Sequence, residues 1–474
     1  SYSELDKFST TSLITRLTAD VNQCQQGVAM FIRLVLRAPF IAVGAIVMAM
    51  LIDLKLSLIF FGAALVIAAA LAVIMLLTMP KYKGVQAKLD DVTRLTKENL
   101  AGARVIRAFD AQDREKQIFD KASDSLATSS IKVGRLSALL NPLTYSVLNI
   151  AIIVLLYFGG KNVYYGNLTQ GEIIALVNYM TQILNALVVF ANLLVTFTKA
   201  SASASRINEV FAVTSSMQEG SGAIADPQAP AIELDNVTFT YQGSPAPALE
   251  NVNVTIEKGA SVGILGGTGS GKTTLVSLMT RLYDATSGEV KVFGENVKNY
   301  TNSQLYSLFG VAPQKAVLFE GTVRDNLKWG KENATDEEID RALKISQSAE
   351  FVYSMKDGLD TKISQGGKNL SGGQRQRLTI ARALVACPDI LVLDDSSSAL
   401  DFATDAKLRK ALASMRLEDG LTTVTVSQRA TSIKYCDLII VLDDGKIIGQ
   451  GTHDELIKSC DVYREICLSQ VKGD

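Results

Sequence analysis

The chain is poor in the residues that build metal and disulfide sites. It has one histidine and five cysteines, and the cysteines lie far apart, with no CxxC pair and no neighbouring histidine. This spacing argues against a zinc site or a disulfide framework and favours reduced thiols. Charge of one sign is lacking too, since 47 Lys and Arg balance 48 Asp and Glu. A dedicated nucleic-acid binder normally has a basic excess, so this function class is disfavoured.

Apolar sequence is abundant but unevenly distributed. The chain has 474 residues, of which 48% are hydrophobic, and this length predicts two or three domains. Three windows without Asp, Glu, Lys or Arg are long enough to span a bilayer: residues 56–80, 136–160 and 173–198. A fourth window, residues 34–52, carries Arg37 and Pro39 and is followed by the short polar tip 53–55. We therefore expect residues 34–52 and 56–80 to form a helical hairpin.

The basic residues predict the orientation of these spans. Residues 80–135 hold twelve Lys and Arg, whereas residues 53–55 and 161–172 hold one each. Because basic segments stay on the cytoplasmic side, both chain ends are predicted to lie in the cytoplasm and the spans in the plasma membrane. Within residues 80–135, apolar residues recur at intervals of three and four positions, which favours helices that continue out of the membrane into water. A separate helical hairpin is an alternative that fits the same spacing.

A change of composition marks a second domain. We predict a transmembrane domain with cytoplasmic helical extensions over residues 1–212, a polar, turn-rich linker over residues 213–230, and a second domain over residues 231–474. In that last part, short β-branched runs alternate with helical patterns, which is typical of an α/β domain.

The strongest motif lies in this second domain. Residues 266–273 read GGTGSGKT, directly after an apolar strand and before a helical pattern. This is the phosphate-binding loop in its required context, because glycines let backbone N–H groups face phosphate oxygens. Lys272 is predicted to reach the β- and γ-phosphates, and Thr273 to hold Mg²⁺. Asp394 ends a second apolar strand and is the predicted acidic partner of the metal.

Further motifs make the chain resemble the ATP-binding cassette (ABC) transporters, specifically exporters with a fused membrane domain. Ser371-Gly372-Gly373-Gln374 resembles the family signature, Gln314 its Q-loop, Tyr241 its adenine-stacking position and Asp401 its D-loop. The resemblance implies an all-α transmembrane domain joined to an α/β P-loop NTPase. It also implies six membrane helices per half-exporter, so that four are present here and the first two are missing from an N-terminally incomplete chain.

The resemblance further implies ATP and Mg²⁺ as ligands. In the family, two cassettes enclose two ATP molecules, and each signature serves the opposite site. The predicted nucleotide and metal residues are Tyr241, Gly266, Thr268, Gly269, Ser270, Gly271, Lys272, Thr273, Thr274, Gln314 and Asp394.

Two positions depart from the family pattern. Efficient family ATPases have Glu after the metal-binding Asp and His in the switch loop, whereas this chain has Asp395 and Gln428. Its only histidine, His453, is predicted to be a surface or packing residue. Gln365 is a third departure, at a position where the family usually has Glu. These positions predict that the chain binds ATP well and hydrolyses it poorly at its own loop.

An intact signature beside a degenerate site favours a heterodimer. The interpretation is one subunit of a multidrug-type exporter, an ATPase coupled to transport of small amphiphilic molecules, whose signature completes a competent site on a different subunit. Two alternatives stay open: a nucleotide-gated regulatory or channel-associated protein, and a slow homodimeric exporter that relies on Asp395.

Amide side chains suggest a path for cargo. Together with one tyrosine, they recur on one helical face of the window 136–160 and on one face of the window 173–198. These residues are Asn141, Tyr145, Asn149, Asn178, Gln182, Asn185 and Asn192. Amides in lipid are costly, so both faces should point towards protein or water. They either line a cavity or serve as hydrogen-bond links between helices.

Overall fold

The structure is a computed structural model that describes residues 1–35, 37–396 and 398–471. The side chains of residues 35, 38, 184, 187, 188, 190–195 and 471 also lie outside this description. The chain forms two compact units. One is Thr10–Ala212, and the other combines Ser1–Ser9 with the chain from Val213 onward. The domain limits at residues 212 and 230 stay predictions.

The first part of the chain is helical. In chain order its helices are α1 (Tyr2–Lys7), α2 (Thr10–Thr15), α3 (Val21–Met30), α4 (Arg37–Ile52), α5 (Leu54–Ala101), α6 (Ala103–Ala108), α7 (Gln112–Ala138), α8 (Leu140–Tyr164) and α9 (Gln170–Phe211). Two π-helical segments, Arg16–Asp20 and Phe31–Val35, flank α3. Of these helices, α2 to α9 make up the Thr10–Ala212 unit.

Three stretches of helix in the described residues are long and apolar enough to cross a membrane: Thr10–Ile52, Leu54–Ala101 and Gln112–Tyr164. They contain the predicted windows 34–52, 56–80 and 136–160. The predicted window 173–198 falls in α9, where several side chains lie outside the description, so that span stays a prediction.

Local chemistry explains where these helices begin. Asp53 is extended and caps α5, since its Oδ1 accepts the N–H of Lys55 at 2.8 Å and of Leu56 at 3.0 Å. The predicted hairpin tip is therefore confirmed. The window 136–160, expected as one span, is broken at Leu139, and α8 restarts one residue later. Pro142 explains the restart, because a proline in the first helical turn removes an N–H that would have no helical partner.

The membrane unit has one apolar core. Helix α4 packs on α9, and α5 packs on α8, with α8 and α9 also in contact. The core residues recur at helical spacing, so that each helix turns one apolar face inward: Ala45, Ala49, Leu56, Phe60, Ile67, Leu71, Leu148, Ala151, Leu155, Leu168, Leu176, Met180 and Ile183.

The other unit is α/β, as predicted. Its strands are β1 (Ile232–Phe239), β2 (Leu249–Ile256), β3 (Ser261–Gly266), β4 (Ser287–Val292), β5 (Glu295–Asn296), β6 (Phe309–Ala312), β7 (Gly321–Thr322), β8 (Lys362–Ile363), β9 (Ile390–Asp394), β10 (Thr422–Ser427), β11 (Leu438–Asp443) and β12 (Lys446–Gly451). Its helices are α10 (Lys272–Met279), α11 (Asn302–Leu308), α12 (Val323–Lys328), α13 (Asp336–Ile345), α14 (Ala349–Ser354), α15 (Gly372–Val385), α16 (Phe402–Asp419), α17 (Ala430–Ile433), α18 (His453–Ser459) and α19 (Asp461–Val471). Two 3₁₀ turns cover Gly358–Asp360 and Gln365–Gly367.

The described strands of this unit form two large sheets and a short two-stranded sheet, β7-β8. The strand order of the larger sheet is β12-β11-β3-β10-β9-β6, in which the neighbours from β11 to β6 are parallel and β12 is an antiparallel edge. The smaller sheet, β2-β1-β4-β5, is antiparallel and shares an apolar core with the larger one. Helices α12 to α16 contribute to a second core around Leu318, Ile339 and Leu378.

Candidate functional site

The candidate site lies where four neighbouring parallel strands end. Strands β3, β10, β9 and β6 are adjacent, and their register aligns Ser427 with Leu265, Val426 with Asp394, and Ala312 with Leu393. The glycine loop follows β3, and the segments with the other predicted polar residues follow β10, β9 and β6. The carboxyl ends of parallel strands are where open α/β sheets bind ligands.

The glycines of the loop are required by its tight geometry. Gly271 has φ of 99°, and a Cβ there would lie 2.9 Å from the carbonyl oxygen of Ala248. A Cβ on Gly266 would lie 2.4 Å from the carbonyl oxygen of Leu442. Thr268, Gly269 and Ser270 complete the turn between these two positions. The backbone can therefore approach a ligand closely at the start of α10.

Lys272 folds back over this loop. Its Nζ donates to the carbonyl oxygens of Gly266, at 2.9 Å, and of Gly267, and lies 3.3 Å from the Ser270 hydroxyl. The residue is only 9% exposed, and burial lowers the pKa of its ammonium while the carboxylates of Asp395 and Asp394 oppose that shift. A cation held by neutral carbonyls is ready to exchange them for phosphate oxygens.

Thr273 and Asp394 form the oxygen-donor pair that the sequence predicts for a metal. Asp394 is 6% exposed, burial raises its pKa, and a hydrogen bond with the Thr273 side chain opposes the shift. A hydroxyl and one carboxylate fit Mg²⁺, which usually takes one or two protein oxygens besides water and phosphate. In the described part of the chain, no cluster of three His, Cys, Asp or Glu side chains could hold a metal by itself.

Asp395 lies between two amides. One of its carboxylate oxygens accepts Nε2 of Gln428 at 3.4 Å and Nε2 of Gln314 at 3.5 Å. Its backbone has φ of 46°, and its N–H donates to the carbonyl oxygen of Val426. Burial raises the pKa of Asp395, and the hydrogen bond from Gln314 and the charge of Lys272 oppose the shift. The structure thus places Asp395, Gln428 and Gln314 in one cluster.

Tyr241 sits in an aromatic group beside the loop. Its hydroxyl lies 3.0 Å from that of Thr274, and its ring meets those of Phe239 and Tyr283 edge to face. Tyr283, which the sequence analysis missed, donates its hydroxyl to Asp6 at 2.7 Å. A cavity of about 580 Å³ lies here, and its lining includes Glu4, Asp6 and residues 239–243. An aromatic residue shortly after a helix is common in sequences, so no sequence signal indicates that Tyr283 belongs to this group.

The predicted signature residues start a helix elsewhere in the unit. Ser371 caps α15, with its hydroxyl accepting the N–H of Gln374 and its own N–H donating to Gln374 Oε1 at 2.9 Å. Ser371 and Gly372 are exposed, and no hydrogen bond in the described residues joins this helix start to the glycine loop. A Cβ on Gly373 would lie 3.1 Å from the carbonyl oxygen of Ala399. The free N–H groups of the first turn are therefore open to a ligand from outside the chain.

Three other predicted positions have simple structural surroundings. Asp401 caps α16 by accepting the N–H and the hydroxyl of Thr404, which lowers its pKa. His453 Nδ1 lies 2.8 Å from the Tyr463 hydroxyl, which confirms a packing role. Gln365 is exposed at the start of a 3₁₀ turn.

The amide stripes lie on the faces of α8 and α9 that point away from the membrane core. Asn141, Tyr145 and Asn149 are exposed, whereas Thr144 and Leu148 between them are buried. The described members of the stripe on α9 are also exposed: Asn178, Gln182 and Asn185. The Asn192 side chain lies outside the described residues. Among the described residues, no side-chain hydrogen bond involves these stripe residues, so within this part of the chain they do not link helices.

Family models match both parts of the chain. Residues 1–187 match the model described as ABC transporter transmembrane region, and residues 249–398 match the model described as ABC transporter.

Full-length relatives agree with these matches. The chain is 37% identical to an uncharacterized ABC transporter ATP-binding protein of Mycobacterium tuberculosis, over 98% of this chain and 80% of that one. It is 30% identical to an ATP-dependent lipid A-core flippase of Vibrio parahaemolyticus, over 98% and 79%. A solved bacterial Atm1-family ABC exporter with ATP bound shares the fold, with a TM-score of 0.79 at 24% identity over 99% of this chain and 83% of that one.

Proposed function

The chain belongs to the ABC transporter family, as an exporter-type half-transporter with fused transmembrane and ATP-binding domains, and from this premise we propose that it is one subunit of a heterodimeric exporter. Its reaction is ATPase-coupled transport across a membrane. In the proposed arrangement its own ATP site is degenerate, and its signature completes a competent site on a different subunit.

ATP binding at this chain's loop follows from the donors present there. The backbone N–H groups between Gly266 and Lys272 surround the phosphates, and Lys272 neutralises their charge. Thr273 and Asp394 would hold Mg²⁺, which supplies charge neutralisation between the phosphates. Tyr241 would stack on adenine from the aromatic group beside the loop.

The cluster around Asp395 is the observation that carries the proposal. Its carboxylate is one methylene shorter than the glutamate of efficient family members, which withdraws it by about 1.5 Å from an attacking water. It also accepts two amide donors, at 3.4 and 3.5 Å. A general base must lie within hydrogen-bond reach of its water, and a positioned base is worth about 10² to 10⁴ in rate. Gln428 can donate to phosphate but cannot carry the positive charge of a protonated histidine.

The signature helix supports a competent site in trans. Ser371 and Gly372 are exposed at the start of a 14-residue helix, where unpaired N–H groups and the helix dipole favour a phosphate. This arrangement requires a second cassette to supply the nucleotide. ABC exporters act as dimers, and we propose that the second subunit carries the glutamate and histidine that this chain lacks.

The cytoplasmic helices supply a docking element for that subunit. Phe109, at the turn between α6 and α7, is 80% exposed, and Asp110 beside it has φ of 48°. The cassette carries an exposed aromatic stack close in sequence to Gln314, in which the rings of Phe319 and Trp329 lie 4.3 Å apart. We propose that the segment 109–115 of this chain docks near the Q-loop of the partner subunit, and that the Phe319–Trp329 stack of this chain accepts the corresponding segment of the partner.

The proposed cargo is small and amphiphilic. The exposed amide faces of α8 and α9 would be costly in lipid, and a cavity shared with a partner subunit would hydrate them. Amides both donate and accept hydrogen bonds, which suits varied polar groups. The Vibrio parahaemolyticus relative is described as a lipid A-core flippase, which is consistent with amphiphilic cargo. The predicted location is the plasma membrane with the cassette in the cytoplasm.

One alternative has an observation in its favour. Burial raises the pKa of Asp395, so its carboxylate is more basic than an exposed aspartate. This favours a slow homodimeric exporter in which Asp395 itself serves as the base. A nucleotide-gated regulatory protein would bind ATP in the same way but would not couple it to transport.

Purification in mild detergent tests the proposal. A tagged chain taken from its native membranes should bring a second, different half-transporter at about equal amount, identified by mass spectrometry. An untagged preparation is the control. Recovery of this chain alone, as a dimer with full ATPase activity, would contradict the heterodimer.

Restoring the family residues tests the degenerate site separately. The double variant Asp395→Glu/Gln428→His should add hydrolysis at this chain's loop, by about 10-fold or more over the unchanged site. The measurement is single-turnover hydrolysis after the partner's own base has been neutralised. No gain would mean that these two positions do not limit turnover.

A further inference from the structure

The C-terminal helix holds the switch loop at two points. In α19, the side-chain Nε2 of Gln470 donates to the carbonyl oxygen of Gln428 at 2.7 Å. The Oε1 of the same amide accepts the N–H of Ala430 at 2.9 Å. One side chain therefore brackets the peptide groups on both sides of Arg429.

The segment held by Gln470, residues 428–430, includes a side chain of the candidate ATP site. Gln428 follows β10, and its side chain donates to Asp395 at 3.4 Å. On the other side of this segment, the N–H of Arg429 donates to the Ser427 hydroxyl at 2.9 Å, and Ala430 begins α17. Rotation of the backbone at residue 428 would move the side chain that faces Asp395. The two contacts of Gln470 restrain that rotation.

Helix α19 is firmly placed, so the bracket has a rigid support. Tyr463, one of its residues, is fully buried in a core with Ile433 of α17 and Leu265 of the strand that precedes the glycine loop. Its hydroxyl lies 2.8 Å from His453 Nδ1. Gly263 in that strand faces Ile433 so closely that a Cβ there would lie 2.6 Å from the Cβ of Ile433. The strand, α17 and α19 thus form three packed layers.

We propose that Gln470 is a positioning residue that sets the switch-loop side chain at this chain's ATP site, so that the C-terminal helix is part of the site. This inference rests on the proposed role of Gln428. The amide of Gln470 presents its donor and its acceptor at the spacing of the two backbone groups. A carboxylate keeps the acceptor for Ala430 and loses the donor for Gln428, and a thioether loses both.

Hydrogen exchange tests the contact without any turnover. In the complete complex, Gln470→Met keeps the side-chain volume and removes both hydrogen bonds. The amide of Ala430 should then exchange at least about fivefold faster, since each such bond is worth about two- to twelvefold in a local equilibrium. The matched control Gln450→Met removes one amide bond, to the carbonyl oxygen of Asn253 at 2.8 Å, and should leave residues 427–433 unchanged. Unchanged exchange in Gln470→Met would overturn the proposal.

Hydrolysis tests whether the contact acts through residue 428. In the Asp395→Glu/Gln428→His chain, Gln470→Met should lower kcat by about fivefold and change KM for ATP by less than about twofold. With alanine at position 428, the same change should have no further effect on kcat. An equal loss in both backgrounds would show that Gln470 acts elsewhere and would overturn the proposal.

A second variant and the two readouts keep the outcomes distinct. Gln470→Glu should retain protection of the Ala430 amide and still lower kcat, because it loses only the bond to Gln428. If Gln470→Glu exchanges the Ala430 amide as fast as Gln470→Met does, and its kcat is equally low, the two-point contact is contradicted. If the restored chain does not hydrolyse ATP, the degenerate-site proposal fails, whereas exchange at residue 430 still decides the role of Gln470.

Discussion

Replacing Lys272 with alanine should weaken ATP binding at this chain's loop without unfolding the cassette. Without nucleotide, the Lys272 ammonium is satisfied by the carbonyl oxygens of Gly266 and Gly267 and by Ser270. ATP binding exchanges these neutral acceptors for charged phosphate oxygens. Alanine removes that gain, while the backbone N–H donors of the loop remain.

The size of the loss follows from this exchange. A hydrogen bond to a charged group is worth about 1.5 to 3 kcal/mol net, and each 1.36 kcal/mol is tenfold in affinity. We therefore expect ATP to bind this loop about 10- to 150-fold more weakly. Burial of Lys272 lowers its pKa, which means that the free site already disfavours the charge. Removing the ammonium should for this reason leave the thermal stability of the nucleotide-free protein unchanged or slightly higher.

Photo-crosslinking of labelled ATP to this chain, in the complete complex and over a range of concentrations, measures the affinity. Lys344→Ala is the matched control, because Lys344 makes only an exposed ion pair with Asp340 and such pairs contribute little. If the ATP concentration that gives half-maximal labelling is the same in Lys272→Ala as in the unchanged chain, the assignment of the loop is refuted. A comparable loss in the control would refute the specificity of the effect.

Three further predictions concern charge, docking and cargo. Burial raises the pKa of Asp395 above its unfolded value, so stability falls as pH rises through the interval between the two. Asp395→Asn should therefore raise the melting temperature of the protein at pH 7, and raise it less at acidic pH. A lower melting temperature at pH 7 would contradict this. A cysteine at Asp113, which is exposed, should crosslink to the partner's cassette, whereas crosslinks confined to residues 231–474 of the same chain would rule out the crossed arrangement. Cysteines at Asn149 and Asn178 should react with a water-soluble thiol reagent at rates that change when ATP is trapped, and uniformly unreactive positions would return these faces to packing.

The glycine loop and the pairing of Thr273 with Asp394 could be predicted because their signals are local. A strand, a glycine run, Lys-Thr and a helix stand together in sequence, and an acidic residue ends a strand of the same kind. Parallel strands then bring the two segments to one edge of the sheet, and the observed register of β3, β10 and β9 does so. The cluster of Asp395 with Gln428 follows from the same rule.

Other features have no local signal. Gln470 lies 42 residues from Gln428, and a glutamine near the end of an amphipathic helix is unremarkable in sequence. The spacing of apolar residues predicts that the helix continues beyond residue 80, and α5 does continue through Pro80, but its end at Ala101 has no comparable signal. The break at Leu139 does have a local signal in Pro142, but hydropathy alone treats residues 136–160 as one uninterrupted window.

The central claim is an asymmetric pair of ATP sites, and turnover after neutralising each post-strand acid in turn measures it most directly. In the native complex, Asp395→Asn should lower steady-state ATPase activity by less than about twofold, whereas the matching change of the partner's glutamate should lower it by about 10²-fold or more. Equal losses from the two changes, or a collapse of activity in Asp395→Asn, would contradict a degenerate site on this chain.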